Sequence, residues 1–152
     1  MQEGQNKNSF ESDKNERDEE LSSYKDCYID LSSEALKIHY YFFPFLQTKT
    51  IPISKIKNIN LIDLNLLNGK LRVFGLDFKC IYYHFDIKRP IKKQAITLKE
   101  EGNWLTIGIT PEDPQKCFKS LKFLLENNRK NPPESKGIEE EDSLIKGKEK
   151  IN

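Results

Sequence analysis

The chain has 152 residues, 36% of them hydrophobic and 32% charged, which is the scale of one modest core with solvated appendages. No window approaches the ~20 consecutive apolar residues of a membrane span, and the polar, acidic stretch from Met1 to Glu20 lacks the apolar run of a secretory signal. The formal net charge of +1 is too small for a dedicated nucleic-acid binder, and Cys27, Cys80 and Cys117 make neither an even disulfide set nor a CxxC pair. The expectation is a cytoplasmic chain for which a membrane offers only a peripheral site.

The charge is unevenly divided. Residues 1–20 hold three Lys/Arg against seven Asp/Glu, whereas residues 21–128 hold 16 against 11, so the foldable centre carries +5. Gln2 to Asn15 has one large apolar residue, Phe10, and Asn131 to Lys150 has only Ile138, Leu144 and Ile145. Such segments bury too little area to offset their ordering entropy. The predicted organisation is therefore a disordered acidic tail over 1–20, a folded domain over 24–129, and a disordered charged tail over 130–152.

Within the domain, short runs of Ile, Leu, Tyr and Phe recur every ~8–12 residues between turn residues, the pattern of an all-β domain. The predicted strands are Cys27–Leu31, Leu36–Phe43, Gln47–Ile53, Ile56–Asp63, a shorter Leu71–Asp77, Cys80–Ile87, Ala95–Glu101 and Trp104–Thr110. Ser32-Ser33-Glu34, Pro44 and Glu101-Gly102-Asn103 supply turn chemistry between them. In Cys80–Ile87 the strict alternation puts Ile81, Tyr83, Phe85 and Ile87 on a core face, with Cys80, Tyr82, His84 and Asp86 opposite. Leu105, Ile107 and Ile109 make the core face of the last strand.

The period then becomes helical. Asp113 is a good N-cap, Pro114 suits the first helical position, and Phe118, Leu121, Leu124 and Leu125 form an apolar stripe flanked by Lys116, Lys119 and Lys122. About seven antiparallel strands and one C-terminal amphipathic helix predict a mainly β fold: a partly open barrel whose open end the helix plugs.

Two segments resemble a known family. "IPISKIKNI" (Ile51 to Ile59) and "AITLKEEGNWLTIGITPEDPQKCFKSL" (Ala95 to Leu121) are similar to stretches of bacterial-type pleckstrin-homology and GRAM-like domains, as is Tyr83-His84-Phe85-Asp86 through Arg89-Pro90. The resemblance covers roughly Tyr24 to Glu126 and implies a pleckstrin-homology-like barrel that binds lipid headgroups, binds peptides or self-associates. The loop Ser32-Ser33-Glu34-Ala35 holds none of the basic residues that inositide-binding members use there.

The densest basic group is Lys88, Arg89, Lys92 and Lys93, a candidate anion site at the barrel mouth. Phe42-Phe43-Pro44-Phe45-Leu46 is apolar on both strand faces, which makes Phe42, Phe43 and Phe45 candidates for partner or membrane contact. These features predict a non-catalytic adaptor module that contacts a protein partner or an anionic membrane surface, with no specific nucleic acid and with oligomeric state left open. The alternatives are a small hydrolase-like enzyme using His84 and Asp86, or a weak nucleic-acid binder in which exposed aromatics stack on bases. Residues four apart on a strand lie ~13 Å apart, so Cys80 and His84 cannot share an ion without a bulge. No GxSxG, HExxH or glycine-rich phosphate cradle accompanies them, and no catalytic residue, metal or cofactor is expected.

Overall fold

Alternating apolar and polar residues can bury one side of a sheet, and the turn residues between the runs determine where each strand reverses. In the computed structural model, which describes residues 18–42, 44–66 and 69–132, four strands pair in chain order as an antiparallel meander. They are β1 (Tyr24–Lys25), β2 (Ile29–Leu31), β3 (Ala35–Phe42) and β4 (Gln47–Pro52). Asp26 Oδ1 makes the first reversal by accepting from the backbone N–H groups of Tyr28 and Ile29 at 2.7 and 2.8 Å. Ser32 Oγ does the same at the second, accepting from Ala35 N–H at 3.3 Å. The predicted tails, 1–20 and 130–152, fall almost wholly outside the described residues.

A 3-10 turn, Ile53–Lys55, carries the chain into a second sheet ordered β5-β8-β9-β7-β6. Its strands are β5 (Ile56–Asp63), β6 (Gly75–Leu76), β7 (Ile81–Tyr83), β8 (Gln94–Glu100) and β9 (Thr106–Ile109). Gly102, at φ +76°, serves the β8–β9 hairpin turn in a conformation that L side chains rarely adopt. The architecture is mainly β with one long C-terminal helix, as predicted, but the described residues form nine strands and their two sheets do not close into a barrel. Nor is the pairing wholly antiparallel, since β7 runs parallel to β9.

The helix, α1 (Pro114–Lys130), begins where the sequence predicts: the Asp113 side chain accepts from Lys116 N–H at 2.9 Å. Its start is tied to the β1–β2 turn. The Tyr24 hydroxyl donates to Asp26 at 2.6 Å and accepts from Asp113 N–H at 3.0 Å. Leu36, Ile38 and Ile51 of the first sheet, Ile107 and Ile109 of the second, and Leu121 of α1 join one core. Each fully buried Leu or Ile contributes roughly 1.5–3 kcal/mol. The buried helix stripe uses Cys117 and Ser120 beside the predicted leucines, while Phe118 is only half-buried.

Two strand predictions need correction. The expected strand Cys80–Ile87 is reduced to Ile81–Tyr83, because Cys80 takes φ 57° and the donors beyond Tyr83 turn to other segments. Phe85 N–H bonds to Tyr40 O at 2.9 Å and Asp86 N–H to Val73 O at 2.8 Å. Leu71–Asp77 likewise shrinks to the two residues of β6.

The expected core face also divides, because both faces of the second sheet are covered. Tyr82 packs against the main core, whereas Ile81 and Tyr83 join Leu64 and Ala95 in a smaller cluster on the other side. Gly108 and Gly69 make room for the Tyr83 ring: a Cβ on either would stand 2.3 and 2.6 Å from its edge atoms. Ile87, assigned to the core by alternation, is instead 68% exposed.

Candidate functional site

The second sheet gathers its irregular backbone at one end. Leu64 N–H donates to Lys93 O at 2.7 Å just beyond the Asp63–Gln94 pair, and β7 and β9 finish there at Tyr83 and Ile109. Residues 84–93 leave this end as a loop that folds on itself. Asp86 Oδ1 accepts from Lys88 N–H at 2.9 Å, and Pro90 lies within a 3-10 turn, Arg89–Ile91. Arg89 donates through one amino group to Arg72 O at 2.8 Å and through the other to His84 O, and its guanidinium stands 4.7 Å from the Tyr83 ring centre. One buried cation thus joins the 84–93 loop to the 69–74 segment.

His84, Asp86, Arg89 and Thr110 are all wholly buried. Thr110 donates its hydroxyl to Asp86 Oδ2 at 2.5 Å and its backbone N–H to His84 Nε2 at 3.1 Å. Because Nε2 accepts, the ring proton sits on Nδ1 and is donated to Phe85 O at 3.1 Å. The imidazole is neutral: burial, and then the neighbouring Arg89 charge, push His84 down to about 3. Lys92 brings its ammonium to 2.8 Å from Asp86 Oδ2, to the Thr110 carbonyl, and to 4.6 Å from the centre of the Tyr28 ring. Burial would raise the Asp86 carboxyl, but hydrogen bonds from Lys92 and Thr110 outweigh it and hold the group below the usual carboxylate range. Burial pushes Arg89 down to about 10, so it stays charged at neutral pH.

His84 and Asp86 therefore meet through Thr110, with both imidazole nitrogens engaged and neither residue exposed to solvent. The cluster holds loops in place and offers an outside molecule no free base. Among the described residues no group of three His, Cys, Asp or Glu side chains could hold a metal ion, and no helix is long and apolar enough to cross a membrane.

The four basic residues singled out in the sequence part company here. Lys88 and Lys93 are exposed, Lys88 lying 3.9 Å from Glu112, whereas Arg89 and Lys92 turn inward and belong to the buried cluster. The turn residue Phe45 is 78% exposed, and Phe42 is 43% exposed with its ring edge-on to Tyr41. Phe43 lies outside the described residues.

No family model, curated protein or solved structure matches the chain.

A further group of surface residues has no counterpart in the strand-based sequence reading. Leu71, Phe74 and Phe78 are 67%, 42% and 83% exposed on the segment that crosses over Tyr83, and the Arg72 guanidinium lies 5.2 Å from the Phe78 ring centre. The available signal was a run, Leu71 to Phe78, with apolar residues on both alternation phases and a glycine within it, a pattern no half-buried strand needs.

Proposed function

We propose that the chain is a non-catalytic binding module of the pleckstrin-homology-like kind, which docks on an anionic membrane surface through the loop end of its second sheet. The observation that carries this reading is the contrast at that end: the titratable cluster is sealed and used for architecture, while the loops it ties together present lysines and large apolar side chains. Two sheets with the C-terminal helix packed on their shared core are compatible with a partly open barrel. The enzyme alternative would need His84 or Asp86 to reach a substrate, and both are buried with their polar atoms engaged.

Co-sedimentation with phosphatidylcholine vesicles, with and without phosphatidylserine, tests the proposal. The variant is Lys88→Ala/Lys93→Ala, which spares the inward Arg89 and Lys92. Binding should require phosphatidylserine and weaken with salt, and loss of two charges at about 1 kcal/mol each should reduce it roughly thirtyfold. Equal binding to both vesicle types, or none to either, would sink the reading.

A further inference from the structure

We propose that the 69–79 segment is an interfacial anchor: its outward apolar side chains, led by Leu71 and Phe78, enter the headgroup region of an anionic bilayer while the surrounding cations hold the acidic surface. This rests on the docking function proposed above and names the part of the surface that inserts.

The segment starts against the sheet, where Gly69 approaches the Tyr83 ring, and then turns Leu71, Phe74 and Phe78 toward water. Exposed apolar groups gathered on a covering segment usually mark an interaction site. Charge selects the occupant. Residues 66–93 carry seven Lys/Arg and two Asp, and both carboxylates, Asp77 and Asp86, are buried. The outward charge of this stretch is therefore entirely positive, with Lys70, Arg72, Lys79, Lys88 and Lys93 outside the core. Two exposed carboxylates stand at its borders: Asp63 accepts from the Gln94 amide at 3.2 Å, and Glu112 lies 3.9 Å from Lys88 and offsets that one charge, so Lys70, Arg72, Lys79 and Lys93 carry the positive excess. Apolar side chains interleaved with cations suit the interface of an anionic membrane, where rings and methyl groups enter the acyl boundary and Lys or Arg remains among headgroups. A second copy of the chain would instead set two positive faces together, which like-charge repulsion opposes.

The segment is also braced for the task. Arg89 grips Arg72 O, and Asp86 N–H grips Val73 O, so both bonds fasten its middle to the buried cluster. Presenting the apolar groups on a braced backbone lowers the ordering cost of docking.

The test places an indole in the segment by Phe78→Trp in a Trp104→Phe background, Trp104 being the one native tryptophan. It is read with vesicles of phosphatidylcholine and phosphatidylserine, with and without brominated acyl chains. Binding should shift the emission at position 78 to the blue, and the brominated chains should quench it. The companion variant Leu71→Ser/Phe78→Ser, with its folding checked by thermal melting, should bind at least tenfold more weakly, equivalent to about 1.4 kcal/mol. If the wild type binds these vesicles while the emission at position 78 stays unshifted and the serine variant binds equally well, insertion is overturned and electrostatic docking stands. Failure of the wild type to bind them overturns both.

Discussion

The Thr110 hydroxyl donates to the buried Asp86 carboxylate at 2.5 Å, and the backbone N–H of the same threonine donates to His84 Nε2. One residue at the end of β9 thus touches both a carboxylate held ionised by Lys92 and Thr110 together and an imidazole kept neutral by burial and the Arg89 charge, two states that respond to acid at different pH.

Acid should weaken the fold in two stages. In the unfolded chain His84 protonates near 6.5, whereas in the folded chain it resists protonation to about 3, so between those values the unfolded state binds more protons and stability falls as pH falls. Asp86 acts at lower pH: its depressed carboxyl contributes stability above the unfolded value of 3.8 that is lost as pH drops through the folded one. His84→Gln keeps an acceptor for Thr110 N–H and removes the first stage. Urea denaturation of wild type and variant at several pH values should show a shallower decline for the variant between about pH 6 and 4. Parallel curves would mean that His84 does not govern this window.

Arg89 should tolerate no other cation. Lysine lacks the planar fork that meets the Arg72 and His84 carbonyls from two separate nitrogens, and a buried carbonyl left without a donor costs roughly 1–3 kcal/mol. Arg89→Lys should accordingly lower stability by about that amount, and Arg89→Ala by more. In both, limited trypsin digestion should cut faster after Lys70, Arg72 and Lys79, because the segment loses its central fastening. Unchanged cleavage of a destabilised Arg89→Ala variant would show that Arg89 supports only the 84–93 loop.

At Gly108 the constraint is space. A Cβ would sit 2.3 Å from the Tyr83 ring, so Gly108→Ala should cost about 1–3 kcal/mol through overpacking. The added methyl acts through one ring, so combining it with Tyr83→Leu should cost clearly less than the sum of the two single changes. Additive losses in calorimetry would place the strain elsewhere.

The sequence made the frame readable where side chains face one environment. Ile107 and Ile109 alternate cleanly into the core, and Asp113 with Pro114 starts the helix where local chemistry places it. Reading failed beyond Tyr83. There the alternating pattern from His84 to Ile87 imitates a strand, but hydrogen bonds to Tyr40 and Val73, distant in the chain, override it. Arg89 and Lys92 were legible as a basic pair, yet their inward turn depends on carbonyls at Arg72, His84 and Thr110 that only the folded chain brings near. Periodicity records whether a position is apolar and is silent about which remote acceptor will receive a cation.

The β5–β8 pairing carries one more consequence. Asp63 and Gln94 face each other, and Leu64 bonds to Lys93, so residues 64–93 leave and re-enter the frame at a single point. That excursion contains the sealed histidine, the gripping arginine and the exposed apolar segment, while its own strands, β7 and β6, lie at the outer side of the sheet order. The surface is in effect a cassette set into a two-stranded doorway: its outward side chains can change while β7 stays paired with β9 and the β5–β8 doorway is untouched.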